Sequence, residues 1–193
     1  QRGRFSLGKE NVENDQYYTK ENIAQICIDS LPFHLDWFDY IIEPSAGRGD
    51  FYRLLHTANL VGIDIDLKIS SIIKSDFFDL DFKTKGSVLT IGNPPFGKNA
   101  SLAYTFFQHA AQYSDCIAFI LPRTFRKPSM INRLNRRFHL VYDELLPLNS
   151  FYIDVGNGKE DYSVPCVFQV WLKKTKQIHP SCGWVREVPF YVI

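Results

Sequence analysis

The stretch YIIEPSAGRGDF, residues 40–51, decides the fold. An apolar run ends in Glu43-Pro44, and a turn of small residues follows through Ser45, Ala46, Gly47, Arg48 and Gly49. DFYRLLH then carries apolar residues at helical spacing, predicting a helix over about 50–57. Glycines between a strand and a helix let backbone come close to a ligand. Gly47 and Gly49 alone fall short of the three-glycine dinucleotide pattern, so the turn needs support from its neighbours. The next run, LVGIDID, ends with Asp64 and Asp66. Asp64 lies about 20 residues beyond the turn, where nucleotide-binding folds place an acid for the ribose. A third run, SIIKSDFFDL, sets Asp76 beside Phe77. Each acid singly is common at strand exits and helix caps. The succession Glu43, Asp64, Asp76 points to one ligand-binding edge.

The fourth run, VLTIGNPPFG (88–97), ends in Asn93-Pro94-Pro95-Phe96. The two prolines block a helix and hold the preceding residues extended. The exit is stiff and rich in acceptors: the Asn93 side-chain oxygen and prolyl carbonyls whose own nitrogens cannot donate. Phe96 follows as a flat stacking surface. Such a bracket suits a planar group bearing an NH2, and adenine is such a group. The plain alternative is a proline-rich turn closing a core strand.

Working outward, strand-like runs fall at 40–43, 60–64, 71–75, 87–92, 116–121, 139–146 and 164–172, and further helical stretches at about 100–114 and 128–138. Thr19 is placed to cap a helix with apolar positions Ile23, Ile26, Cys27 and Leu31. This alternation predicts a doubly wound, mostly parallel sheet. Between the last two runs, NSFYIDVGNGKEDYS is rich in Gly, Asn and Asp and predicts a long hairpin loop.

YYTKENIAQIC (17–27), EPSAGRGDF (43–51), GIDID (62–66), SDFF (75–78) and NPPFG (93–97) together resemble the amino-type, adenine-N6 class of S-adenosylmethionine-dependent methyltransferases, above all the small DNA-type adenine methylases. The resemblance implies a class I, Rossmann-like α/β fold, a seven-stranded mostly parallel sheet with one antiparallel strand and helices on both faces. It implies S-adenosylmethionine as cofactor and methyl transfer to the exocyclic N6 of adenine, DNA being favoured over RNA. Asn93, Pro94, Pro95 and Phe96 would form the catalytic bracket, with Phe151 or Tyr152 as a second aromatic wall. Asp64 would bind the ribose, Asp76 the adenine amino group, and Phe77 the adenine ring. Pro44, Ser45, Ala46 and Gly47 would run past the methionine part, with Thr19 near its carboxylate. Glu43 would orient the turn or meet the methionine amine, and Asn93 would also touch the cofactor. Phe78 and Tyr52 are expected in the core, and Trp37, Trp171 and Trp184 as packing residues. The alternatives are a protein-glutamine N-methyltransferase, whose acceptor is also a planar NH2 group, and a non-catalytic nucleic-acid-binding relative.

The 193 residues suit one domain, with residues 1–16 as a basic arm and 177–193 as a tail. Little chain remains for a separate target-recognition domain, so a partner subunit would supply recognition. The chain opens at Gln1, as a processed or excised protein would. No run approaches the roughly 20 apolar residues of a membrane span, and no signal peptide is evident. The four cysteines form no CxxC pair and the five histidines are dispersed, which predicts a reducing intracellular compartment, cytoplasmic or nuclear, and no metal site. The formal net charge of +1 conceals a basic cluster. Arg123, Arg126, Lys127, Arg133, Arg136 and Arg137 follow the strand ending in ILP with no acid among them, and Arg2, Arg4 and Lys9 could add to them. On the carboxyl edge of the sheet these would neutralise nucleic-acid phosphates. The competing reading is a solvated basic face.

Overall fold

The computed structural model describes residues 17–57, 59–66, 68–155 and 158–175. The expected basic arm, the tail, Cys182, His179 and Trp184 lie outside the described residues. Ten strands are present among the described residues: β1 (Tyr18–Thr19), β2 (Tyr40–Glu43), β3 (Leu60–Asp64), β4 (Ile73–Lys74), β5 (Val88–Gly92), β6 (Cys116–Pro122), β7 (Phe138–Leu145), β8 (Phe151–Asp154), β9 (Lys159–Tyr162) and β10 (Cys166–Lys173). The α-helices there are α1 (Glu21–Asp29), α2 (Ser101–Ala110) and α3 (Pro128–Ile131).

Seven strands form the main sheet in the order β4-β3-β2-β5-β6-β10-β7. From β4 to β6 every pairing is parallel, and β10 runs antiparallel between β6 and β7. The expected mostly parallel sheet with one antiparallel strand is therefore present. Its centre is apolar throughout. β5 is buried at every position and β6 at all but its last, as parallel strands covered on both faces require. α2 packs Phe107 into this core, where its ring meets Trp171 edge-on at 5.5 Å. Burial of such a side chain contributes about 1.5–3 kcal/mol.

Because β2, β3, β5 and β6 are parallel, their exits share one edge, and Glu43, Asp64, Gly92 and Pro122 gather there. That is the edge at which open α/β sheets bind ligands.

Several expected elements differ in extent. Residues 50–57 make a single irregular turn, not a helix. Arg53 N donates to Gly49 O (3.0 Å) while Leu54 N donates to Phe51 O (2.9 Å). Phe51 and Leu55 are buried anchors, but after one turn the bonds tighten to the second residue back, from His56 N to Leu54 O (3.1 Å) and from Thr57 N to Leu55 O (3.0 Å), and the helix does not continue. The helix expected over 128–138 stops at Ile131. Bonds from Arg133 N and Leu134 N tighten to the third residue back, and Asn135 Oδ1 then accepts from Arg137 N (3.1 Å), turning the chain into β7. α2 covers 101–110 of the expected 100–114.

Thr19 does not cap α1. It lies in β1 opposite Phe151, and Lys20 stands at the cap position without a side-chain bond. Ile26 of α1 is largely exposed. The segment expected as a long loop is instead the hairpin β8–β9. It joins β1 in a second, three-stranded antiparallel sheet of order β1-β8-β9. Tyr18 pairs with Tyr152, and Phe151 with Tyr162.

Candidate active site

The turn after β2 is held by backbone and by Asp64. Gly47 has φ +51°, a left-handed conformation that disfavours side chains, and a Cβ there would sit 3.3 Å from the Tyr18 ring. Its N–H donates to Asp64 Oδ2 at 2.7 Å, and Asp66 N donates to Asp64 Oδ1 at 2.8 Å. Ala46 N donates to Ile63 O (3.0 Å), and Ser45 Oγ donates to Asn93 O (3.0 Å). The turn is thereby tied to the ends of β3 and β5.

Glu43 lies below it, 2% exposed, with Oε2 buried and unpartnered. Burial, reinforced by the Asp50 and Asp64 carboxylates, holds its carboxyl well above the ordinary range. Gly92, at φ +149°, leaves room for it: a Cβ would lie 3.2 Å from Glu43 Cγ.

A cavity of about 380 Å³ opens above the turn, within the usual volume of small-molecule sites. Of the residues singled out from sequence, Pro44, Ser45, Gly47, Asp64, Asp76, Phe77, Asn93, Pro94 and Pro95 line it. Asp76 also accepts from Phe78 N at 2.9 Å, capping a short turn. Asn93 Oδ1 is buried without a hydrogen-bond partner. Buried acceptors are rarely left so, since each costs about 1–3 kcal/mol.

Other expected residues are placed differently. Thr19 is buried in β1, and the cavity wall there is Tyr17 and Tyr18. Glu43 and Ala46 lie outside the lining. Phe77 is only 2% exposed and stacks on Phe106 at 5.0 Å, whereas Phe78, expected in the core, is half-buried and lines the cavity. Phe96 is 6% exposed with its ring 5.3 Å from Tyr17, so it is a core side chain before it is a stacking plate. Phe151 and Tyr152 are buried. The Tyr152 hydroxyl donates to Asp50 at 3.3 Å and its ring stacks on Tyr18 at 5.4 Å. Trp171 is buried against Phe107, and Trp37 packs on Phe33. Cys27, Cys116 and Cys166 are buried free thiols.

Sequence reading misses Tyr17, Tyr18, Ile65, Lys68, Leu102 and Phe106 of this lining. Tyr17 sits in a quoted motif, and Leu102 and Phe106 repeat at i, i+4 on α2. Nothing local shows which cavity that face meets.

The basic cluster is divided. Arg126 pairs with Asp143 at 2.8 Å. Arg137 donates to Ala111 O at 3.0 Å, at the end of α2 that precedes β6, on the edge opposite the cavity. The single shared surface expected at the carboxyl edge is corrected accordingly. Lys127 and Arg133 remain beside the NPPF exit, where they line a second cavity of about 470 Å³ with Phe96 and Tyr162. Among the described residues no His, Cys, Asp and Glu cluster could hold a metal ion, and no helix is long and apolar enough to cross a membrane.

The sheet order and the ligand-binding edge define a class I, Rossmann-like methyltransferase fold. Solved structures agree. A candidate RNA methyltransferase from Pyrococcus horikoshii superposes with a TM-score of 0.61 at 17% identity, covering 89% of this chain and 93% of that one. Magnesium protoporphyrin IX methyltransferase from Synechocystis PCC 6803, solved with bound SAM, gives 0.53 at 12% identity, covering 90% and 87%. In sequence, the chain is 26% identical to the protein ENHANCED DOWNY MILDEW 2 of Arabidopsis thaliana, over 81% of this chain and 13% of that protein's length. No family model matches.

Proposed function

We propose that this protein transfers a methyl group from S-adenosylmethionine to the exocyclic N6 of adenine in nucleic acid. The observation that carries the reading is Asn93 Oδ1, buried and unpartnered at the β5 exit beside Pro94 and Pro95. An acceptor kept dry and idle is suited to a donor that arrives with a substrate. The 380 Å³ cavity, with Asp64 and Asp76 on its wall, fits the nucleoside of the cofactor, and the Synechocystis structure with bound SAM supports that assignment. The Pyrococcus neighbour is described as a candidate RNA methyltransferase, which keeps RNA beside DNA as the acceptor.

Bound S-adenosylmethionine would supply an activated sulfonium methyl. Asp64, already oriented by Gly47 N and Asp66 N, retains lone pairs for ribose hydroxyls. Asp76 would accept from the cofactor's adenine amino group, with the exposed part of Phe78 against the ring. The acceptor amine is a poor nucleophile because its lone pair is delocalised into the base. Asn93 Oδ1 and the Pro94 carbonyl would accept its two N–H bonds and draw that lone pair toward the methyl. The same dipoles stabilise the positive charge that develops on nitrogen. Alignment accounts for a further share, since positioning is worth roughly 7–11 kcal/mol. The proton can leave after transfer, so no dedicated base is needed. In a duplex the base must first be flipped out, at a few kcal/mol.

The deciding experiment is a tritiated-methyl assay over duplex DNA, single-stranded DNA, ribosomal RNA and protein extract, with mass analysis of the digested product. N6-methyladenine is expected. Label recovered as N-methylglutamine would replace this reading with the amide one. No label in any pool, with cofactor bound, would point to a non-catalytic relative.

A further inference from the structure

Two cavities meet at Tyr17. Its ring lines the 380 Å³ cavity that holds Asn93, and equally the 470 Å³ cavity beyond Phe96. The larger one is not lined by Asn93, Pro94 or Pro95, so a group in contact with the Asn93 amide occupies the smaller. What continues past Phe96 enters a compartment of different character. One wall is aromatic: Tyr162 stacks on Tyr17 at 5.2 Å and Phe96 meets Tyr17 edge-on. Met130 and Val164 add apolar surface. Lys127 and Arg133 stand on the lining, both exposed, and the Arg133 guanidinium is steadied over the Tyr104 ring at 4.8 Å. A flat aromatic wall with cations beside it is the arrangement that receives one nucleotide of an unpaired strand, base on ring and phosphate on cation.

Resting on the function proposed above, we propose that the 470 Å³ cavity binds the nucleotide adjoining the acceptor, its base against Tyr162 and its phosphates on Lys127 and Arg133. A base stacked in a duplex has both faces covered by its neighbours, so the cavity selects an adenine whose neighbour is already unstacked. Arg126 and Arg137, engaged with Asp143 and Ala111, take no part.

The test is fluorescence anisotropy with a short labelled single strand carrying one adenine, in ribo and deoxyribo forms, across a salt series. Replacing Lys127 and Arg133 together by Ala should reduce the slope of log K against log salt by about 1.4, at about 0.7 per single-strand phosphate contact. Lys85→Ala, a change at an exposed lysine elsewhere, should leave it unchanged. Val164→Trp, which fills the cavity without altering charge, should abolish strand binding while calorimetric binding of S-adenosylmethionine persists. Whichever sugar form binds more tightly identifies the class of strand. An unchanged slope in the double variant, full binding by Val164→Trp, or no strand binding by the wild type would each overturn the proposal. N6-methyladenine formed despite an unchanged slope would sink this inference and leave the function standing. The expected slope change without any methylated adenine would sink the function and leave only strand binding at this cavity, without an adjoining acceptor.

Discussion

Replacing Asn93 by alanine should slow the reaction and stabilise the protein, and the two effects together separate a functional amide from a structural one. In the folded chain Asn93 Oδ1 is buried without a partner, so folding carries its desolvation cost of about 1–3 kcal/mol uncompensated. Alanine removes that cost. It also removes some packing, about 0.8 kcal/mol for each methylene-sized group. The balance is a gain of about 1 kcal/mol, which for a chain of this size raises Tm by about 2–4 °C. The backbone is not disturbed, because Pro94 keeps residue 93 extended whatever its side chain. Ser45 Oγ bonds the residue's carbonyl and not its amide, so the turn should hold. Methyl transfer should fall by about 100-fold, the scale for deleting one preorganised electrostatic partner. Differential scanning fluorimetry, calorimetry with S-adenosylmethionine and the tritiated-methyl assay give the three readouts. A lowered Tm with the transfer rate intact would show that the amide serves the fold, and the mechanism built on it would fall.

Asp64→Ala should weaken S-adenosylmethionine binding by about 1.5–3 kcal/mol, the range for hydrogen bonds to a charged group. Equal calorimetric affinity in mutant and wild type would remove Asp64 from the site. Phe96→Ala should be primarily a stability mutant, costing about 3–5 kcal/mol by urea titration because the ring is buried against Tyr17. A folded, unimpaired variant that merely binds substrate less tightly would restore it as a free stacking plate. Glu43→Gln should flatten the dependence of stability on pH. The raised folded-state value means the native protein keeps a proton that the unfolded chain releases, so wild-type stability falls as pH rises from the ordinary carboxylate range to the raised value. The amide of the Glu43→Gln variant carries no such penalty, and the variant's Tm should exceed the wild type's increasingly as pH rises through that window. Parallel Tm profiles for the two proteins would mean Glu43 is ionised in place.

The sheet is legible in the sequence because its strands announce themselves locally. β5 and β6 are unbroken apolar runs, and β2 and β3 each end in an acid at a turn. The residues that line the cavity from those exits, Pro44, Asp64, Asp76 and Asn93, are legible for the same reason. What escapes is set by contacts distant in sequence. The helical spacing of Phe51 and Leu55 is real, but it sets which side chains are buried and not how the chain leaves the turn, where the bonds from His56 N and Thr57 N tighten to the second residue back. The segment at 151–162 is composed like a loop, and it becomes a hairpin because β1 supplies a partner strand. Arg137 is adjacent in sequence to a cluster it does not join, since the Asx turn at Asn135 swings it to the opposite edge.

That hairpin also bears on both cavities. Asp154 forms an ion pair with Arg48 of the glycine turn, across 106 positions of sequence, and the Arg48 guanidinium lies over Tyr18 at 5.3 Å. Tyr152 donates to Asp50 in the same turn, and Lys159 covers the Tyr152 ring at 4.0 Å. At the other end of β9, Tyr162 forms part of the wall of the larger cavity. β8 and β9 are paired along their whole length, from Phe151 with Tyr162 to Asp154 with Lys159, so a single hairpin carries the contacts to the glycine turn and the wall of the larger cavity. The glycine turn and the hairpin are thus joined by side chains whose pairing only the folded chain brings about.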